Sequence, residues 1–255
     1  MTETSNPSTS LSGKMFLYET PELLTTDAHA NLGFTPATNP FEFAKGARVV
    51  PLTMIEFGLA MRSYPIIFTN LETPTPLAVV GLLDDDNLFV NEKGQWDPLC
   101  YIPTYLRCHP FTLAKEASGQ LAIVVDRDAA SVSEEPVYPF FTDGEPSEHT
   151  QTLMQLCSDF ERERQRTVEY CKKLVDLGLL AVMQATHKPE GATEEQSLAD
   201  YVAIDASKLD VLPAETIYEL HQSGFLSASY LHLYSLENWR HLMARRVSQR
   251  SADQM

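Results

Sequence analysis

The stretch Ser147–Leu177, SEHTQTLMQLCSDFERERQRTVEYCKKLVDL, is the best-defined element of the chain. Its apolar residues recur three and four positions apart, and charged or polar residues fill the positions between them. That spacing places the apolar side chains on one face of a helix of about eight turns. Ser147 is a favourable N-cap and Gly178 a favourable stop, so the pattern predicts one long amphipathic helix. No strict seven-residue seam is present, which favours packing on a core over a coiled coil.

The region before this helix carries strand patterns. Short runs of β-branched and aromatic residues alternate with tight-turn signals, and the runs are 48–52, 64–68, 77–82, 88–90, 111–114 and 120–125. Strands joined by such short turns pair in opposite directions. We therefore expect a mostly antiparallel sheet over residues 46–126, with Asp84–Asn87 as the tip of one hairpin. Residues 1–45 are polar and interrupted by prolines, which predicts a loosely ordered lead-in.

Two further segments complete the predicted fold. Residues 127–146 form a Pro-, Ser- and Glu-rich connector, in which Asp143-Gly144 is a strong turn signal. After the long helix, apolar runs at 179–184 and 201–205 predict a hairpin, which short helices follow. The predicted fold class is α+β, with a mostly antiparallel sheet, one long amphipathic helix and a C-terminal hairpin plus helical cluster. We expect residues 147–248 to form one compact body with the sheet.

The chain is strongly acidic, with 19 Lys and Arg against 35 Asp and Glu residues and a formal net charge of −16. Nucleic acids and anionic membranes attract clustered basic residues, so this charge argues against both as partners. No run approaches the ~18 apolar residues that span a bilayer. The polar start also lacks the basic and apolar regions of a signal peptide. We expect a soluble cytoplasmic protein, with non-classical export and the oligomeric state left open.

Residue patterns of known catalytic and cofactor sites are missing from the sequence. It holds no phosphate-binding glycine loop, no nucleophile elbow around a serine and no zinc-type spacing of cysteines or histidines. Asp84, Asp85 and Asp86 lack the order of a calcium loop. Cys157 and Cys171 fall on the apolar face of the long helix, where buried free thiols are expected. We predict no catalytic residue, no metal site and no cofactor.

The densest group of aromatic and polar residues lies within 96–111. Prolines hold four aromatic side chains and one arginine within these 16 residues. Aromatic rings supply large contact areas, and an arginine fork can bind a carboxylate. The candidate residues for binding a protein or peptide are Trp96, Tyr101, Tyr105, Arg107 and, in the connector turn, Asp143. The alternative is that the aromatic rings of 96–111 close the core.

Taken in order, several of these patterns resemble the SapC family. The matching motifs are Val50–Leu52, Tyr64–Phe68, Asn87–Val90, Trp96, Tyr101–Phe111, Phe141–Ser147, Gln165–Thr167, Leu220–Gly224 and Tyr230–Leu236. The resemblance runs from about residue 45 to residue 246. Where the family often reads Arg-Arg-Tyr-Pro-Phe, this chain reads Arg-Cys-His-Pro-Phe at 107–111, so one arginine of a pair is missing here.

The resemblance implies a soluble protein without an established catalytic residue set, distinct from the peptide-transport permease of the same name. Genes of the family often lie near outer-membrane uptake receptors and modifying enzymes, which implies an accessory role. We therefore expect a non-catalytic binding or accessory protein that works with a modifying enzyme or an outer-membrane uptake system. Two alternatives stay open: a surface-layer structural protein, and an enzyme with an unfamiliar site built for example from Tyr105, Arg107 and a histidine.

Overall fold

The computed structural model describes residues 15–82, 86–115, 120–187 and 196–252. Two of the four residues of the predicted tip at Asp84–Asn87, and the start of the predicted lead-in, lie outside these ranges. The described strands are β1 (Pro21–Leu23), β2 (Gly33–Phe34), β3 (Val49–Pro51), β4 (Ile66–Phe68), β5 (Pro76–Val79), β6 (Phe111–Lys115), β7 (Leu121–Asp126), β8 (Val132–Ser133), β9 (Tyr138–Pro139), β10 (Phe141–Thr142), β11 (Glu145–Pro146), β12 (Leu180–His187) and β13 (Gln196–Ile204). The α-helices are α1 (Thr26–His29), α2 (Phe57–Ala60), α3 (Thr104–Cys108), α4 (Glu148–Asp176), α5 (Ala206–Asp210), α6 (Ala214–Ser223), α7 (Phe225–Ser235) and α8 (Asn238–Ala252), and 3-10 turns lie at Glu42–Ala44 and Met54–Glu56.

The fold class is α+β, as predicted. All pairings between the described strands are antiparallel. The long helix is confirmed as α4, and Ser147 Oγ accepts a hydrogen bond from Thr150 N at 3.3 Å at its start. Gly178, just beyond the end of α4, has a φ of 64°, which a residue with a side chain rarely adopts. The C-terminal hairpin is β12–β13, and α5 to α8 form the helical cluster.

The larger of two compact units comprises residues 44–107 and 162–255. Its centre is a five-stranded sheet in the order β12-β13-β4-β5-β3. Two buried side chains of α7 hold the helix on this sheet. Ser235 Oγ accepts from Ile66 N at 3.0 Å, and His232 Nε2 accepts from Ile204 N at 3.1 Å. Burial lowers the pKa of His232 to about 3, which keeps the ring neutral and able to accept that bond.

The strand runs of residues 46–126 are divided between two sheets. β3, β4 and β5 share a sheet with the C-terminal hairpin, whereas β6 pairs with β7, and β7 pairs with β1 from the predicted lead-in. Residues 88–90 form only an isolated bridge, between Val90 and Trp96. Local spacing marks the strands, but the choice of partner depends on packing between residues far apart in sequence.

The smaller unit comprises residues 1–43 and 108–161, so the unit boundary falls within α4. It holds the sheets β1-β7-β6 and β8-β2-β9 and the hairpin β10-β11. The predicted turn at Asp143-Gly144 joins β10 to β11, with φ of 53° and 82°, as a tight two-residue hairpin loop requires. Its core includes Cys108, Phe111, Phe140 and Cys157.

Two of the predictions made from the sequence concern the burial of the cysteine thiols and membrane-spanning segments. Cys157 and Cys171 are 2% and 3% exposed, which confirms the prediction of buried thiols. Burial raises the pKa of Cys171 to about 12, which keeps that thiol protonated. Among the described helices, none combines the length and the apolar character that a membrane span requires.

Candidate functional site

The predicted binding region, residues 96–111, is divided between the two compact units: residues 96–107 belong to the larger unit and residues 108–111 to the smaller. Residues 97–107 belong to the larger unit, and we call them the candidate segment. They connect the isolated bridge at Trp96 to the end of α3. Three anchors fix their conformation: a turn at Asp97, the guanidinium of Arg245 and the buried carboxylate of Glu56.

The candidate segment begins with a tight turn around Asp97. Its Oδ1 accepts from Leu99 N at 3.0 Å, and its carbonyl oxygen accepts from Cys100 N at 3.0 Å. Oδ2 accepts from Arg245 Nη2 at 2.6 Å. The bond from Leu99 N and the bond from Arg245 lower the pKa of Asp97, although burial opposes them, so the carboxylate is ionised at neutral pH. This turn leaves the side chain of Leu99 93% exposed.

Arg245 reaches the turn from α8 and holds it in place. Its Cζ lies 4.4 Å from the centre of the Phe89 ring, and Nη1 donates to Leu88 O at 3.4 Å. The guanidinium therefore combines an ion pair with Asp97, a cation–π contact and a main-chain hydrogen bond. Because these contacts involve no part of the Leu99 side chain, the turn is ordered without burying that leucine.

A buried glutamate fixes the middle of the candidate segment. Glu56 is 4% exposed, and its Oε1 accepts from Tyr101 Oη at 2.9 Å and from Thr104 N at 2.7 Å. Its Oε2 accepts from the N and the Oγ1 of Thr53, both at 2.8 Å. Four donors thus offset the desolvation of a buried carboxylate. Burial raises the pKa of Tyr101, and the Glu56 carboxylate raises it further, so the hydroxyl stays protonated and donates.

Arg107 lies at the exposed end of the candidate segment. Its Nη2 donates to Thr104 Oγ1 at 2.8 Å, and its Cζ lies 5.8 Å from the centre of the Tyr101 ring. A guanidinium carries five N–H donors in a planar fork. The contact with Thr104 uses one edge of this fork, and the other donors can bind a carboxylate in the bidentate manner.

The structure gives the predicted residues different environments. Trp96 is 5% exposed, its Nε1 donates to Tyr64 Oη at 3.3 Å, and its ring stacks on Phe89 with centroids 6.0 Å apart. Trp96 therefore supports the candidate segment from the core. Tyr101 and Tyr105 are half-buried.

Asp143 is separate from this group. It lies exposed in the β10–β11 turn of the smaller unit, whereas the other four predicted residues belong to the larger unit. Its backbone has a positive φ of 53°, in the left-handed region, which Asp tolerates better than most residues. The turn conformation therefore explains why an aspartate occupies this position.

Sequence reasoning missed Glu56, Leu99 and Arg245 as determinants of this region. Glu56 follows Thr53 by three positions, and this capping-box spacing is a local signal that could have identified it. Leu99 follows Asp97-Pro98, a turn-forming pair, which favours an exposed position. Arg245 has no such signal, because its contacts join residues about 150 positions apart.

Three shallow cavities in the described part of the chain lie away from residues 97–107. They measure about 380, 410 and 550 Å³ and include, respectively, Asn91 and Gln249, Tyr138 and His149, and Phe16 and Phe43 in their walls. The candidate segment contributes no residue to the walls of these three cavities. Among the described residues, no group of three or more His, Cys, Asp or Glu side chains is placed to hold a metal ion.

Comparison with known proteins identifies a family. Residues 24–242 match the SapC family model. No curated protein and no solved structure matches the chain. The matched range contains the whole candidate segment, Glu56 and the β12–β13 hairpin. Because the match covers most of its length, the chain belongs to the SapC family.

Proposed function

We propose that this SapC-family chain is a non-catalytic accessory protein that binds another protein through the candidate segment 97–107. The observation that carries the proposal is Leu99, whose side chain is 93% exposed in a turn held by Asp97 and Arg245. Single exposed leucines are common on protein surfaces. Leu99 differs because its own N–H donates to the ionised, anchored carboxylate of Asp97, and the next residue, Cys100, donates its N–H to the main-chain carbonyl oxygen of Asp97.

A binding segment that is ordered before its partner docks favours a higher affinity for that partner. A segment that is already fixed loses little conformational entropy when a partner docks on it. Full burial of a leucine side chain contributes about 2 kcal/mol. Tyrosine and arginine are the residue types that most often dominate binding energy at interfaces, and Tyr101, Tyr105 and Arg107 follow Leu99 in the same segment.

The segment also defines the chemistry of the partner. Leu99 requires an apolar pocket, and the outer edge of the Arg107 fork requires a carboxylate near that pocket. With a net charge of −16, this chain approaches a neutral or basic surface most readily. A modifying enzyme or an outer-membrane uptake system is the partner class that the family resemblance suggests, and a carboxylate beside an apolar pocket is the feature to seek in it.

The test is affinity purification of the full chain from cells that produce it naturally, with single-site variants as bait. We expect the unaltered chain to recover a stoichiometric partner, and Leu99→Asp and Arg107→Glu each to reduce recovery at least about tenfold, a loss of 1.4 kcal/mol or more. Val211→Asp is the matched control, because Val211 is an 80% exposed valine in the same unit but outside the segment. It should recover the partner normally.

Two results would overturn the proposal. The first is the absence of any stoichiometric partner for the unaltered chain. The second is equal recovery by Leu99→Asp and Val211→Asp when both variants show the thermal unfolding midpoint of the unaltered chain. Because Leu99 is exposed, its replacement should leave the fold intact.

A further inference from the structure

The two outer edges of the five-stranded sheet differ in their protection. β3 has three residues and ends at Pro51, which carries no N–H for pairing. β12 has eight residues, LAVMQATH, and no proline or formally charged side chain occurs between Leu180 and Thr186. Natural proteins usually shorten or charge an edge strand, because its open main-chain groups bind other strands. β12 is the unprotected edge.

The pairing of β12 with β13 shows which of its main-chain groups are open. Asp205 N donates to Leu179 O at 2.8 Å, so these two residues form a hydrogen-bonded pair. Bonded and non-bonded pairs alternate along antiparallel strands, so the next pair, Leu180 with Ile204, is non-bonded. The direction of Ile204 N agrees, because it donates to His232 instead.

Continuing this alternation places Val182 and Gln184 in non-bonded pairs as well. Their N–H and C=O groups therefore point away from β13, toward the outside of the sheet. Lys208 Nζ donates to Leu180 O at 3.3 Å and covers the start of the edge. A register shift after Ala185 interrupts the regular pairing at the other end. Among the strands that the structure describes, none pairs with this side of β12. The open stretch is Val182–Gln184, and the side chain of Val182 is 61% exposed.

We infer that β12 pairs with β12 of a second copy of this chain, antiparallel across a two-fold axis at Val182–Gln184. This pairing joins two five-stranded sheets into one. A strand edge can pair with itself around a two-fold axis, which is the commonest symmetry of protein dimers. Each copy carries a net charge of −16, so two copies meet with least repulsion along an uncharged strand. The inference concerns a surface other than the candidate segment and does not depend on the proposed function.

A foreign extended peptide is the competing occupant. Strand addition by peptides gains its specificity from side-chain pockets beside the edge. A second copy needs no such pocket, because its edge already matches in length, register and charge.

Sedimentation velocity of the full purified chain over a wide range of concentration tests this inference. The unaltered chain should sediment as a dimer, and Val182→Lys should raise the dimer dissociation constant at least about tenfold. Val211→Lys, which adds the same charge at an exposed valine outside the sheet, should remain dimeric. A monomer at all concentrations, or an unchanged dimer in Val182→Lys, would overturn the inference.

Two further measurements keep the test independent of folding defects. Val182→Pro removes an N–H that points outward, so it weakens the dimer without breaking a hydrogen bond to β13. In the unaltered chain, amide hydrogen exchange at Val182 and Gln184 should be slow at high protein concentration and fast at low concentration. Fast exchange at both concentrations, or a monomer whose β12 is protected only by an added extended peptide, would exclude the second copy as the occupant.

Discussion

Each compact unit contains a buried carboxylate that connects distant parts of the chain, and the two differ in their partners. Glu56 in the larger unit is 4% exposed, and Asp126 in the smaller unit is 2% exposed. Glu56 accepts main-chain hydrogen bonds from Thr53 and Thr104. Asp126 accepts main-chain hydrogen bonds from Glu19 and Thr20, at 3.0 and 2.8 Å.

The difference lies in the remaining contacts. Glu56 adds two neutral hydroxyl donors, from Thr53 and Tyr101. Asp126 instead lies 3.4 Å from Nε2 of His109, whose ring stacks on Phe43 with centroids 3.8 Å apart. An imidazole carries charge only when it is protonated. The donors to Glu56 are therefore all neutral amide and hydroxyl groups, whereas Asp126 also contacts an imidazole ring.

This comparison bears on the hypothesis of an enzyme. A buried carboxylate beside an imidazole occurs in many catalytic sites, but networks that only stabilise the fold produce the same arrangement. Here both carboxylates accept two main-chain hydrogen bonds each, which fixes the loops that donate them. We therefore interpret both as structural connections, and three predictions test that interpretation.

The largest effect is expected for Glu56→Ala. The substitution leaves Thr53 N and Thr104 N buried without their acceptor and removes one of the two hydrogen-bond partners of Tyr101 Oη, which should lower the free energy of unfolding by about 4 kcal/mol. Urea unfolding followed by circular dichroism measures this loss. Glu56→Gln should lose about half as much, because its amide oxygen can still accept two of these bonds.

Equal stabilities for the unaltered chain and Glu56→Ala would contradict the structural role of Glu56. A further readout is limited proteolysis of residues 97–107. The unaltered segment should resist cleavage, and Glu56→Ala should be cut there first, because local unfolding is what exposes a segment to a protease. Cleavage elsewhere in the chain would show that the carboxylate does not hold the candidate segment.

A smaller, pH-dependent effect is expected for Asp126→Asn. The substitution replaces the carboxylate that accepts hydrogen bonds from Glu19 N and Thr20 N with a neutral amide. It should lower the free energy of unfolding by about 2 kcal/mol at neutral pH. Burial alone would raise the pKa of Asp126, but hydrogen bonds from His109, Thr20 N and Glu19 N lower it below its usual value.

A folded-state pKa below the unfolded one fixes the sign of the pH dependence. The contribution of Asp126 is fully present above the ordinary aspartate pKa of about 4, and it is lost as the pH falls through the lowered value. The stability difference between the unaltered chain and Asp126→Asn should therefore shrink on acidification below about pH 4. Urea titrations of both proteins at neutral and acid pH measure it, and a constant difference would show that the Asp126 pKa is not lowered.

Residues with strong local signals explain how much of the fold could be predicted from the sequence. Ser147 and Gly178 delimit α4 through capping and left-handed backbone, which act within a few residues. Asp143-Gly144 forms its turn for the same kind of reason. By contrast, β1 is a three-residue strand that pairs with β7, about 100 residues later. No local pattern carries that information.

The same division applies to the candidate site. The aromatic and arginine content of 96–111 was visible in the sequence, but burial of Trp96 and exposure of Leu99 were not. Trp96 is buried because Tyr64 and Phe89 pack against it, and Leu99 is exposed because Arg245 holds the preceding turn. The contact of Trp96 with Tyr64 joins residues 32 positions apart and that of Arg245 with Asp97 joins residues 148 positions apart, so composition alone could not separate the two roles.

The smallest effect is expected for Tyr101→Phe, which alters only the Glu56 side of the comparison. It removes one donor from Glu56 Oε1, which keeps the bond from Thr104 N at 2.7 Å, and the ring still packs beside Arg107. The free energy of unfolding should fall by about 1 kcal/mol. Tyr218→Phe, at a 64% exposed tyrosine of the same unit, is the matched control and should change nothing. A loss as large as that of Glu56→Ala would mean that the hydroxyl, and not the main chain of Thr104, is the contact that fixes the candidate segment. No loss would mean that water replaces the hydroxyl at Glu56, and that the main-chain bond from Thr104 N is the contact through which Glu56 fixes the segment.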